Sequence, residues 1–269
     1  MPLIRHVAAA LDATVHEPSD VALQLAVAPF PGATVRDQLV VTIDDKPLPV
    51  TEALTRTGSR MHLLQAPIGR LSVRYEATVT GRFDLEPVSA TELWEYLRPS
   101  RFVDSDRFND VAGELFGGIR DPAQLLFSVT SWVGSVLSYV PGSSGPMDGA
   151  GQTMDLGAGV CRDYAHLVAA MLRARGVAAR VVAVYAPGCY PMDFHAVVEA
   201  NLKGNWQVLD ATLLAPRQTL VRIATGRDAA DTAFMSNNGG VVVLDQSSVF
   251  AVVDGDLPVD DVDSLAQLH

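Results

Sequence analysis

The chain has 269 residues, 48% of them hydrophobic, and a formal net charge of −11. It can bury a sizeable core in one large domain or two moderate ones. The acidic balance, without Lys/Arg clusters, argues against a nucleic-acid partner or an anionic membrane surface. The apolar runs are far shorter than the roughly 20 residues that a membrane span needs. With two cysteines and no secretory signal pattern, we expect a cytoplasmic protein without a disulfide framework. The composition does not determine the oligomeric state.

Residues 3–82 have the pattern of a β-rich unit. Short runs with partial alternation at 21–27, 38–43 and 70–79 predict strands, and the Pro, Gly and Asp residues between them are typical of turns. We therefore expect an N-terminal β-sandwich domain over residues 1–85 and a second domain over residues 86–269.

The hydrophobic period then becomes helical. Helix starts are predicted at the capping box of Ser89, near residue 106, at Asp121 with its following proline, and near residue 161. The Gly- and Ser-containing residues 141–159 predict a loop. Further strands are predicted at 179–186, 194–201, 206–211, 239–244 and 248–253. Helices followed by an antiparallel sheet indicate an α+β fold for the second domain.

Cys161 lies where a glycine-containing turn passes into the apolar helix that ends before Gly176. Unpaired N–H groups and a partial positive charge at a helix start favour a thiolate, and the same N–H groups can hold an oxyanion. An isolated cysteine is nevertheless more often a small buried residue. A catalytic role requires a base and a group that orients the base.

His195 is the candidate base, and Asp210 is its candidate partner. His195 begins a strand, and Asp210 ends the next strand after the short turn at Lys203 and Gly204. A two-residue turn pairs positions whose numbers sum to 407, so Asp210 falls on the same face as His195 and diagonal to it. A three-residue turn would place the two side chains on opposite faces.

Three other residues compete for these roles. His166 lies about 140° round the helix from Cys161, which turns its ring away from the thiol. Asp193, two residues before His195, is the main competing acid, and Glu199 shares the face of His195 but lies further along the strand.

The segments 159–167, 173–180, 195–199 and 210–212 together resemble the bacterial transglutaminase-like superfamily. The resemblance is strong over about 90–235. It implies a papain-like core in which Cys161, His195 and Asp210 form a triad for acyl transfer or hydrolysis at an amide of a peptide, protein or small amide substrate. The superfamily usually has Asp-Pro-Thr at the acid, whereas this chain has Ala211 in place of the proline.

In these roles, Cys161 attacks the carbonyl carbon, His195 takes the thiol proton and delivers it to the leaving amine, and Asp210 holds the histidine tautomer. The main-chain N–H of Cys161 supplies one oxyanion donor. Gln152, Tyr139 and Trp132 are candidates for the second donor, each with a structural role as its alternative.

Several alternatives remain open at this stage. They are a protein-crosslinking transglutaminase, an acyl-CoA-dependent amine acyltransferase, a binding scaffold that retains the fold, and a metal site formed by the three triad residues. The paired ligands typical of structural zinc sites and the acidic pattern of a calcium loop are absent from the sequence, so we expect neither a metal nor another cofactor. Cys189 is expected to be a spectator thiol, with redox pairing to Cys161 as its alternative.

Overall fold

The computed structural model describes residues 2–85 and 87–269. Met1 and Glu86 lie outside the described residues, and Glu86 is the first residue of the predicted second domain. The strands of the N-terminal part are β1 (Ile4–Glu17), β2 (Ser19–Leu23), β3 (Thr34–Ile43), β4 (Lys46–Pro47), β5 (Thr51–Leu54), β6 (Arg60–Ala66) and β7 (Gly69–Thr80).

The rest of the chain combines helices and strands. The helices are α1 (Ala90–Glu95), α2 (Asn109–Phe116), α3 (Pro122–Val136), α4 (Ala150–Leu156), α5 (Cys161–Ala174) and α6 (Ala229–Thr232). The strands are β8 (Ser138–Tyr139), β9 (Ala158–Gly159), β10 (Ala179–Tyr185), β11 (His195–Leu202), β12 (Asn205–Leu209), β13 (Val221–Gly226), β14 (Met235–Asn238) and β15 (Val241–Val253). Short 3₁₀ turns occupy Ser105–Phe108 and Arg217–Thr219. None of the helices in the described residues is long and apolar enough to cross a membrane.

Two antiparallel sheets form the N-terminal β-sandwich. Their strand orders are β15-β1-β7-β3-β4 and β14-β2-β6-β5. Along β1, buried and partly buried residues alternate almost throughout, because successive side chains of a strand point to opposite faces of the sheet. Leu11 and Val73 from the first sheet and Leu23 and Leu64 from the second meet in one apolar core.

A third antiparallel sheet, ordered β12-β11-β10-β13, carries the helices of the α+β part. Helix α5 packs against β11 and β10, where Leu167 and Met171 of the helix share a core with Val181 and Val198 of the strands. The fold class expected from the sequence, a β-sandwich followed by helices on an antiparallel sheet, is confirmed.

The last strands of the chain return to the sandwich. The predicted strand segments 239–244 and 248–253 merge into β15, which pairs with β1, while β14 pairs with β2. We expected these segments in the sheet of the second domain, and that assignment was wrong because a strand pattern specifies burial but not the partner strand. The division into two domains, 1–85 and 86–269, remains a prediction. β14 and β15 follow this boundary in the sequence, and they form hydrogen bonds with β2 and β1, which precede it.

Helix α4 lies within residues 141–159, where the sequence predicted a loop. Its buried positions are Ala150, Gly151 and Thr153, which are too small to give the periodic signal of large apolar residues. The helix begins where Gly149 donates its N–H to the side chain of Gln152 at 3.1 Å.

Candidate active site

Cys161 is the first residue of α5, as the sequence predicted. Asp163, which is fully buried, accepts the N–H of Val160 at 2.8 Å and the hydroxyl of Ser144 at 2.5 Å. Gly159 allows this close approach, because a Cβ at that position would lie 2.5 Å from Cβ of Asp163. The turn and the helix start are therefore locked together, and the partly exposed thiol lies at the first helical position.

Arg162 forms hydrogen bonds that connect the loop containing Ser144 and Gly145 to the start of α5. Its guanidinium donates to the Ser144 hydroxyl at 3.0 Å, to the Gly145 carbonyl at 2.8 Å and to the Asp163 carboxylate at 3.2 Å. The positive charge of Arg162 thus lies against the negative charge of Asp163, and the pair leaves no net charge beside Cys161.

His195 and Asp210 meet through the register of β11 and β12. Leu202 pairs with Asn205 and Val198 with Leu209, so the paired numbers sum to 407, as a two-residue turn requires. Lys203 and Gly204 in this turn have φ values of 52° and 84°. The predicted register is confirmed, and it brings Nε2 of His195 to 2.7 Å from Oδ2 of Asp210.

Asp210 is held on its other side by Thr212. The main-chain N–H and the hydroxyl of Thr212 donate to Oδ1 of Asp210 at 2.9 and 2.6 Å. Ala211, which stands where the superfamily usually has proline, does not interrupt these contacts. Both oxygens of the buried carboxylate therefore have partners, which fixes its orientation toward the imidazole.

The charges of this pair stabilise each other. Burial by itself lowers the pKa of His195, but the Asp210 carboxylate and the Cys161 thiol raise that pKa well above its usual range. Burial by itself raises the pKa of Asp210, and His195 together with Thr212 lowers it below its usual range. The Asp210 carboxylate therefore stabilises the protonated imidazole, the form that His195 takes when it accepts a proton.

The thiol lies beside the residue that precedes His195. Sγ of Cys161 donates to the carbonyl oxygen of Phe194 at 3.7 Å. Because Nε2 of His195 is bound to Asp210, Nδ1 is the nitrogen left to interact with the thiol, whose hydrogen bond contributes to the raised pKa of the ring. The structure thus brings together Cys161, His195 and Asp210.

The three competing residues have other partners. His166 is fully buried, its Nε2 accepts the N–H of Ala229 at 3.1 Å, and burial lowers its pKa to about 4. The carboxylate of Asp193 accepts the N–H of Phe194 at 2.8 Å instead of contacting the imidazole. Glu199 binds the guanidinium groups of two arginines.

Tyr139 is the residue at this site whose placement the sequence left most open. Its strand, β8, pairs in parallel with β9, which places Tyr139 opposite Gly159, two residues before the cysteine. Burial raises the pKa of Tyr139, and the nearby Cys161 thiol raises it further, while contact with the main-chain N–H of Cys161 opposes the shift. The phenol thus lies at the start of α5.

The other two candidate oxyanion donors are engaged in packing or capping. Oε1 of Gln152 accepts the N–H of Gly149 at the start of α4. The ring of Trp132 packs edge-to-face against Phe116 at a centroid distance of 6.0 Å. Neither contact points to Cys161.

Cys189 is a free, buried thiol, and Cys161 is also free. Sγ of Cys189 donates to the carbonyl of Pro191 at 3.5 Å, and burial raises its pKa. The described residues contain no group of three or more His, Cys, Asp or Glu side chains arranged to hold a metal ion.

The chain matches one family model, one curated relative and several solved structures. Residues 109–211 match the model of the transglutaminase-like superfamily. A candidate cysteine protease from Cytophaga hutchinsonii, known from its crystal structure, is 31% identical in sequence to this chain. The two structures superpose with a TM-score of 0.90 over 98% of this chain and 96% of that one. An uncharacterized protein of Mycobacterium leprae is 25% identical over 63% of this chain and 68% of its own length. The periplasmic domain of TgpA from Pseudomonas aeruginosa is 19% identical, with a TM-score of 0.41 over 78% of this chain and 87% of that one.

Proposed function

The chain belongs to the transglutaminase-like superfamily, and on that premise we propose that it is a thiol-dependent hydrolase of amide or peptide bonds, a cysteine peptidase or amidase. The observation that carries the proposal is the buried contact of 2.7 Å between His195 and Asp210, next to a cysteine at a helix start. A nucleophile, a base and an orienting acid are the parts that covalent catalysis at an amide needs.

In the first half of the reaction, Cys161 forms a thioester. Nδ1 of His195 takes the thiol proton, and the sulfur attacks the carbonyl carbon of the substrate. When the tetrahedral intermediate collapses, the carbon–nitrogen bond breaks and His195 returns the proton to the leaving amine. Asp210 keeps Nε2 in its protonated form and stabilises the imidazolium when it forms.

In the second half, water resolves the thioester. His195 takes a proton from the water, the oxygen attacks the thioester carbon, and the carbon–sulfur bond breaks to release the acid. A primary amine in place of water would give a new amide. That alternative is the chemistry of a crosslinking transglutaminase.

Two donors would stabilise the oxyanion of each tetrahedral intermediate. The main-chain N–H of Cys161 is the first, and we assign the second to the phenol of Tyr139, a role supported by the pairing of Tyr139 with Gly159, two residues before the cysteine. Donors fixed where charge develops contribute more to catalysis than donors that must reorganise during the reaction.

The substrate class we propose is a peptide or protein, and the compartment we propose is the cytoplasm. The proposed substrate class rests on the Cytophaga protein, which is named as a candidate cysteine protease. The proposed compartment rests on two cysteines that are both unpaired, as is usual for proteins of a reducing compartment.

The test is to trap the acyl-enzyme. The protein is incubated with a panel of peptides and glutamine amides, quenched in acid, and analysed by mass spectrometry for an adduct on Cys161. We expect the adduct in the wild type and in Cys189→Ala, the matched control, and its loss together with all turnover in Cys161→Ala. Turnover that survives in Cys161→Ala would refute the mechanism. Failure of Cys161 to react with any alkylating agent near neutral pH would instead favour the binding scaffold.

A further inference from the structure

Asp193 is an acid near the thiol that the proposed reaction leaves unused. It lies on the segment between β10 and β11, four residues after Cys189 and two residues before His195, and its side chain is exposed. Its carboxylate accepts the N–H of Phe194 at 2.8 Å. Asp210 is therefore the acid that contacts His195. The carboxylate of Asp193 faces solvent.

Phe194 sets the separation between this carboxylate and the thiol. Its N–H binds Oδ1 of Asp193 at 2.8 Å, and its carbonyl oxygen lies 3.7 Å from Sγ of Cys161. With the covalent path from N to O of one residue added, Sγ and Oδ1 are at most about 11 Å apart. The phenol of Tyr139 lies within electrostatic reach of both groups, and each of them contributes to raising its pKa.

The charge of Asp193 is not neutralised by its surroundings. No Lys, Arg or His among the described residues lies within 4 Å of its carboxylate as an ion-pair partner. Arg162 is engaged with Asp163, and the charge of His195 is balanced by Asp210. Asp193 therefore places a negative charge without an ion-pair partner among the described residues within about 11 Å of the thiol, in a chain whose formal net charge is −11.

We propose that Asp193 is a specificity residue that selects substrates with a cationic group, an ammonium or a guanidinium, beside the reacting amide. A lysine or arginine side chain on a residue next to the scissile bond can extend from Cys161 toward the Asp193 carboxylate. A diamine that resolves the thioester can place its second amine in the same region. This inference rests on the proposed function, because it assumes that acyl transfer takes place at Cys161.

The local field can be measured without turnover. Cys161 is labelled with two methanethiosulfonates of similar size, one with a trimethylammonium group and one with a sulfonate, and the labelled peptide is quantified by mass. We expect Asp193→Asn to lower the ratio of cationic to anionic labelling rates about fivefold at low salt, with a smaller change at high salt. Asparagine keeps the acceptor for the N–H of Phe194. The control Asp20→Asn removes the same charge from β2. An unchanged ratio in Asp193→Asn, or an equal change in Asp20→Asn, overturns the proposal.

Two pairs of substrates locate the cation. The acyl-donor arm compares peptides with lysine or norleucine beside the scissile bond, and the acceptor arm compares 1,5-diaminopentane with pentylamine. We expect Asp193→Asn to reduce the preference for the charged member about fivefold in the arm where the cation binds. Preferences that stay the same in both arms refute the selection of cations. A changed labelling ratio without any acyl transfer would refute the proposed function but leave the charge effect at the site intact.

Discussion

His195 and Asp210 lie on adjacent strands with 2.7 Å between Nε2 and Oδ2, and both side chains are almost fully buried. The two-residue turn at Lys203 and Gly204 produces this contact, because it sets which residues of β11 and β12 share a face. The orientation of the proposed base therefore depends on a turn at the far end of the hairpin.

Lengthening this turn by one residue should separate the pair. One alanine inserted between Lys203 and Gly204 reverses the faces of β12 relative to β11, so that Asp210 points away from His195. We expect kcat to fall about 10³- to 10⁴-fold, as expected for loss of the orienting acid. Insertion of two alanines keeps the original faces and adds little loop entropy, so it should retain far more activity. Equal losses in the two variants, measured by steady-state kinetics, would contradict this account.

The same pair makes stability depend on pH in a defined window. The lowered pKa of Asp210 means that its contribution is present above its unfolded value of about 3.9 and is lost as pH falls through the folded value. The raised pKa of His195 means that its contribution is complete below about pH 6.5 and is lost as pH rises through its folded value. The free energy of unfolding of the wild type should exceed that of Asp210→Asn most between about pH 4 and 6.5. Urea denaturation across pH tests this, and a difference that grows above that window would contradict it.

Tyr139→Phe removes the proposed second oxyanion donor and keeps the ring. We expect kcat to fall about 100-fold while KM changes little, because the hydrogen bond strengthens as the oxyanion forms. Trp132→Phe serves as the control, since that ring packs on Phe116 away from the thiol. A rise in KM with unchanged kcat in Tyr139→Phe would instead indicate a role in substrate binding.

Glu199 is expected to matter for stability. It is buried between Arg180 and Arg222, at 2.7 and 2.8 Å. Burial by itself raises the pKa of Glu199, but the two guanidinium groups lower it to about 2. Glu199→Ala leaves buried positive charge without its partner and should cost about 3 kcal/mol of the free energy of unfolding. Glu76→Ala on the exposed face of β7 should cost far less in the same urea titration, and equal costs would contradict the assignment.

The sequence predicted the elements around the site better than the contacts between distant elements. The start of a helix at Cys161 is predicted correctly, because it depends on neighbouring residues. Helix α4 was not predicted, because its buried side chains are small and give no periodic pattern of large apolar residues. The partner of β15 escaped prediction because a strand pattern does not encode which sheet the strand joins.

The sequence by itself determined the helix start at Cys161, and it placed His195 and Asp210 on one face only on the condition of a two-residue turn, because the turn length fixes the register of two adjacent strands. Only the tertiary structure decided that the thiol lies at Phe194, that Tyr139 lies at the start of α5, and that Asp193 faces solvent while Asp210 holds the base. The physical reason is distance along the chain. Turns and caps are set by residues a few positions apart, whereas the packing of α5 against β11 depends on core contacts spread over much of the sequence.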